Sequence, residues 1–274
     1  MPDTYGARTL AELPTHSVHY GQDAFQQTCL NMISTGIHKW GFVIYRCAYD
    51  DDELWNRYLA QLKSFYHDNL VKERRAELLE PYLDLTVIED QATLDNASRF
   101  EVRKHFNQWL SGQNIPKLSA HDYTHIARPI RLPRFRYCLY VDKQCLDTVT
   151  QFQAANDGTA LFPDLVQPMV YALIDRAWTP NGTEDPHDPF EALRKKTLEE
   201  ADDEEEDDDE EDAFERGHPL IDGSDHRYVG WQYCNAIYVG TTYDELHRRS
   251  GLEHVDSYCR PPAIYPCGDV SMPS

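Results

Sequence analysis

Two groups of residues in this chain have types and spacing suited to chemistry. In the stretch "EEADDEEEDDDEED", residues 199–212, thirteen of fourteen residues are acidic. Paired carboxylates match a guanidinium group in a planar, two-bond geometry, and they can also hold a divalent cation. The competing reading is a solvated loop, because like charges repel one another and resist packing. The second group is basic. "ARPIRLPRFR" sets Arg128, Arg131, Arg134 and Arg136 within nine residues, with Pro129 and Pro133 stiffening the backbone between them. Tyr123, Phe135 and Tyr137 lie among or beside these arginines, a mixture that suits a single-stranded nucleic-acid end, where phosphates pair and bases stack. The alternative is a basic loop that pairs with the chain's own acids.

A third position is Arg46, within "KWGFVIYRCAYDDDELWNRYLAQLKSFY", residues 39–66. A guanidinium on a buried strand needs a carboxylate or a route to solvent. Arg46 therefore either pairs with one of Asp50, Asp51 and Asp52 or binds an anion or ester carbonyl at the end of the sheet. His121 and His125 have i, i+4 spacing, but Pro116 and Pro129 interrupt the helix that a metal pair would require, so no metal site is expected. The chain has no GxSxG, P-loop or GxGxxG pattern.

These groups must be held by regular elements. Gly41 to Tyr49 reads as a strand covered on both faces. Trp55, Tyr58, Leu59, Leu62, Phe65, Tyr66 and Leu70 then recur at helical spacing, behind aspartates that can cap the helix. "YLDLTVIED" (82–90) reads as the next strand. The order returns with "RFRYCLYVD" (134–142), a short helix capped by Asp142, and "PMVYALIDRAW" (168–178). Ser98 to Glu101 matches a capping box, and "YVGWQYCNAIYVG" (228–240) reads as a final strand. Thr242 to Glu245 matches a second box, and the tail after it reads as loop. The expected fold is an α+β, ferredoxin-like sandwich of two β-α-β units, with helices on one face of a mostly antiparallel sheet, insertions and an acidic disordered loop. The expected organisation is an N-terminal extension (1–37), a core (38–178), a linker with the acidic tract (179–227) and a closing strand, helix and tail (228–274).

Bulk properties narrow the classes further. The net charge of −21 comes largely from the acidic tract; outside it, 34 acids face 26 bases. The overall charge therefore does not exclude a local basic surface. The N-terminus lacks a basic segment followed by an apolar run, and no stretch is apolar enough to span a bilayer. The expectation is a cytoplasmic protein without membrane contact. Its seven cysteines form no CxxC pair and read as buried or free thiols.

The succession "KWGFVIYRCAYDDDELW", "RFEVRKHFNQWL", "RFRYCLYVD" and an acidic linker ahead of "VGW" resembles a set of fungal proteins that includes the arginine-containing cyclodipeptide synthases. The resemblance spans residues 38–240. It implies an aminoacyltransferase of secondary metabolism that joins arginine to a second amino acid as a diketopiperazine. Charged tRNAs, including arginyl-tRNA, would be its activated substrates, and it would need no cofactor and no DNA. A DDxxE motif belongs to that resemblance. It occurs as Asp202, Asp203 and Glu206 and again as Asp207, Asp208 and Glu211, implying catalytic carboxylates there. "DDDELW" departs from the motif at Leu54 and Trp55. Arg46, Arg128, Arg131, Arg134 and Arg136 are then the expected substrate contacts. The rival expectation is a non-catalytic protein whose acidic arm docks basic partners.

Overall fold

The computed structural model describes residues 7–13, 24–113, 115, 132–156, 168–180, 182–183, 216–248, 251–252, 258–266 and 271–272. It is an α+β fold built on a mixed six-stranded sheet. The strands of that sheet are β1 (Val43–Arg46), β2 (Val87–Ile88), β3 (Tyr137–Val141), β4 (Val170–Asp175), β7 (Trp231–Asn235) and β8 (Ile264–Tyr265), in the order β2-β1-β3-β4-β7-β8. A separate two-stranded ribbon pairs β5 (Trp178–Thr179) with β6 (Gly182–Thr183).

The sheet is not mostly antiparallel. β1 runs parallel to both β2 and β3, and β7 runs parallel to β8. β4 alone is antiparallel to its two neighbours, so the other five strands end along one common edge. Nor are the helices confined to one face. Alternate strand residues point to opposite faces. Arg46 stacks on Trp55 of α2 (Asp52–Lys72), whereas the adjacent Tyr45 meets His105 and Phe106 of α5 (Arg99–Ser111). Strand periodicity shows that both faces are covered, but it does not show strand direction.

The remaining helices are α1 (Gln26–Thr35), the single turns α3 (Ala76–Leu79), α4 (Gln91–Leu94) and α6 (Pro133–Arg136), α7 (Lys143–Asn156) and α8 (Val239–Arg248). Several boundaries differ from the sequence expectation. Arg134 and Arg136 belong to the α6 turn, and β3 starts only at Tyr137. α8 begins at Val239, so buried Thr242 lies inside the helix instead of capping it. The tail contributes β8, where a loop was expected. Trp40 is the hub of the core. It meets Phe25, Tyr66 and Tyr243 edge-on at 5.6–5.7 Å, and its indole donates to Leu79 O at 2.8 Å. Such offset aromatic packing adds to area burial.

Candidate functional site

In sheets with parallel strands, ligands favour the carboxyl ends, above all where neighbouring connections diverge. Here that edge carries Arg46 at the end of β1 and Cys47 after it, Glu89 after β2, Asp142 after β3 and Asn235 at the end of β7. Arg46 is buried, with its Nε donating to Ala48 O at 3.0 Å. Its guanidinium pairs with Asp52, approaches Glu89 at 3.5 Å and lies 4.4 Å over Tyr49. Asp51 supplies the helix cap, accepting from Leu54 N at 2.8 Å. The aspartate triplet thus divides its work between capping and charge pairing.

Arg134 and Arg136 are engaged inside the fold. Arg134 donates to the carbonyls of Gly41 (3.0 Å) and Asp84 and to Thr86 Oγ1 (2.7 Å), and it pairs with the Asp84 carboxylate at 3.3 Å. Arg136 meets the fully buried Asp175 at 3.0 Å. Burial alone would raise the Asp175 pKa. Arg136, the Ala177 amide and the Tyr228 hydroxyl outweigh that effect and hold it below the ordinary carboxylate value. These two arginines have the geometry of internal clamps, which does not support the expected substrate contact. Arg128, Arg131, His121, His125 and the carboxylates Asp202, Asp203, Glu206, Asp207, Asp208 and Glu211 lie outside the described residues.

The face of the sheet under α5 holds a cluster that sequence reasoning did not single out. Cross-strand pairing sets Tyr140 (β3) and Tyr233 (β7) on either side of Ala172 (β4), with Trp231 next along β7. The small Ala172 leaves the two tyrosines as walls. Tyr140 Oη donates to Ala97 O at 3.0 Å and Tyr233 Oη to Gln144 Oε1 at 3.1 Å. Burial pushes both phenols well above their ordinary pKa, so both stay protonated. Above them lies Arg99, the first residue of α5. Its guanidinium sits 3.6 Å from the Trp231 ring centroid and 5.4 Å from that of Tyr140. Its in-plane contacts are long, 3.4 Å to Tyr233 Oη and 3.9 Å to Asp222.

Local sequence accounts for this placement. The Ser98–Glu101 capping box is complete and starts α5. Asn96 N donates to Cys47 O at 3.1 Å, tying the preceding turn to β1. Gly230, in "VGW", has φ +72°, and a Cβ there would lie 2.2 Å from Trp178 Cγ; only glycine lets β7 begin so close to that ring. Arg103 clamps the same bend through Gly230 O at 3.0 Å. Asp142 Oδ1 accepts from Cys145 N at 3.0 Å, starting α7 beside the cluster. Chemically, the site offers a cation, phenol donors, an amide and a half-exposed carboxylate around aromatic walls. Cys47 and Cys145 are both buried, with their thiols raised by that burial, and are poor nucleophiles.

Among the described residues no group of three or more His, Cys, Asp or Glu could hold a metal, and no helix is long and apolar enough to cross a membrane. An open cleft of about 380 Å³ lies elsewhere, bounded by Arg8, Val71, Arg74, Glu77 and Leu78. Val71 is near the far end of α2, roughly 30 Å from Asp52 by helical rise, so this cleft is separate from the carboxyl edge. No family model, no curated protein and no solved structure matches the chain.

Proposed function

We propose that the protein is an aminoacyltransferase that forms an arginine-containing cyclic dipeptide from aminoacyl-tRNA, working at the carboxyl edge of its sheet. One observation carries this reading. The described segments on which the resemblance rests are spread from residue 39 to residue 231, yet strand order brings them together in one sheet and the helix that covers it. β1 and its aspartates set the Arg46 pair at the carboxyl edge on the α2 face, while α5, Tyr140 of β3 and Trp231 at the start of β7 gather around Arg99 on the opposite face. An aminoacyl ester is already activated, so the reaction needs neither nucleotide hydrolysis nor a metal. Holding two aminoacyl ends within attack distance supplies much of the rate. Asp142 is the carboxylate at this edge suited to accept a proton from the attacking amine. The Tyr233 hydroxyl and Arg99 are donors suited to a developing oxyanion. Arg128 and Arg131 would steer the tRNA acceptor end, with an affinity that falls steeply with salt. The acidic tract would select the arginyl side chain.

The test is product analysis. Cells making soluble protein should accumulate an arginine-containing diketopiperazine, and purified protein should form it from charged tRNAs. Mass spectrometry that finds no such product in either experiment overturns the reading. Replacing Asp202, Asp203, Asp207 and Asp208 with Asn should abolish the product; an unchanged yield removes the acidic tract from the mechanism.

A further inference from the structure

The arginines packed in or against the core of this fold are not equivalent. Arg46, Arg103, Arg134 and Arg176 each donate to a backbone carbonyl at 3.1 Å or less. Arg99 has no such bond. Its Nε is buried without a hydrogen-bond partner, its Nη2 reaches Tyr233 Oη only at 3.4 Å, and its Nη1 reaches Asp222 only at 3.9 Å. Asp222 is itself committed elsewhere, with Oδ2 accepting from Trp231 Nε1 at 2.9 Å. The Trp231 ring, by contrast, lies close, with its centroid 3.6 Å from the guanidinium and that of Tyr140 at 5.4 Å. The ring contact therefore holds the group in place while its donors stay under-used. A guanidinium's directional strength lies in its own plane, where it binds carboxylate and phosphate oxygens in pairs. Buried donors left without a partner call for an explanation, and a missing ligand is a physical one. Two of the amides at the start of α5, those of Ser98 and Glu101, are already taken up by the capping box.

We propose that Arg99, packed against Trp231 and joined by the Tyr233 hydroxyl, is the binding site for an oxyanion, a carboxylate or phosphate group carried by a ligand on the α5 face of the sheet. The side chain is 20% exposed, so an anion approaches along its open rim, and a small movement against the Trp231 ring brings Nε to the ligand. Tyr233 then turns its hydroxyl from Gln144 to the anion. Asp222 opposes binding by its charge, which keeps affinity modest in the free protein. The inference rests on the proposed location of the site, not on the reaction performed there.

The test titrates the full-length protein separately with inorganic phosphate and with acetate, against chloride at matched ionic strength, following tryptophan fluorescence because Trp231 touches the guanidinium. A saturable change with phosphate alone assigns a phosphate-bearing ligand, and one with acetate alone a carboxylate-bearing ligand. Arg99→Gln should abolish the change, and Arg99→Lys should weaken it roughly tenfold, since an ammonium lacks the planar fork. Asp222→Asn should tighten it a few-fold. Circular dichroism checks that the variants fold, and Tyr233→Phe, expected to weaken binding a few-fold, replaces Arg99→Gln should that variant unfold. No saturable change with either anion, or affinities unaltered by these substitutions, overturns the assignment. Because the probes are inorganic phosphate and acetate, anion binding without any cyclic dipeptide keeps this site and removes the aminoacyl-transfer reading. Undiminished product from Arg99→Gln does the reverse.

Discussion

At the scale of single residues, the arginines separate by what their removal would leave behind. Arg134 removed would strand two backbone carbonyls and the Thr86 hydroxyl, all packed beneath the start of β1. Arg134→Met should therefore cost about 3–5 kcal/mol, as expected for breaking one side of a buried charged network. Urea unfolding will read this directly. Asp52→Asn should cost less than about 1 kcal/mol, because that carboxylate is 81% exposed and its partner keeps other bonds. That the Asp50–Asp52 triplet would both cap α2 and pair Arg46 was legible in the sequence, since cap and pair both act within six residues; which aspartate does which was not. Arg99 was not. Its partner Tyr233 is 134 residues away, and the capping box that contains Arg99 gives a complete local reason for the segment. No local pattern marks a site assembled by strand order.

Among the elements, β7 shows how one backbone position sets up a side-chain cluster. Gly230 both turns the chain at a positive φ and leaves room for the Trp178 ring. Gly230→Ala should destabilise the protein by more than about 2 kcal/mol, combining left-handed strain with overpacking. It should also disturb Trp231, so the near-ultraviolet dichroism of any folded fraction should change. Elements of strong period, such as α2 and α5, were legible to within a residue or two, because burial on one helical face leaves a repeat of about 3.6. Strand lengths were not. The apolar run 41–49 contains only four ladder residues, because residues beyond the ladder are buried by loops and helices instead of by sheet partners. Strand direction is also silent in composition, and for that reason the parallel pairings of β1 were missed.

For the molecule as a whole, acid should be the destabilising direction, in two stages. His247 accepts from Asn31 through Nδ1, and burial lowers its pKa from 6.5 to about 3. The unfolded chain binds this proton below about pH 6.5 while the fold refuses it, so stability falls as pH drops from there towards 3. Asp175, held below its ordinary value, contributes stability above about pH 4 that disappears on further acidification. Urea midpoints should therefore decline between pH 7 and pH 5, and His247→Asn should flatten that interval while leaving the steeper fall below pH 4. A slope that His247→Asn leaves unchanged would assign the loss to other groups. α8, which carries this histidine, also closes the molecule. Asp244 accepts from both the amide and the hydroxyl of Thr28, each at 2.8 Å, across 216 positions of chain. During synthesis α1 lacks its contact with α8 until residue 244, 216 positions after Thr28, has left the ribosome. Until then the face of α1 that carries Cys29 and Met32, both buried in the finished fold, lacks its α8 cover, and the nascent chain exposes apolar surface of the kind that chaperones bind.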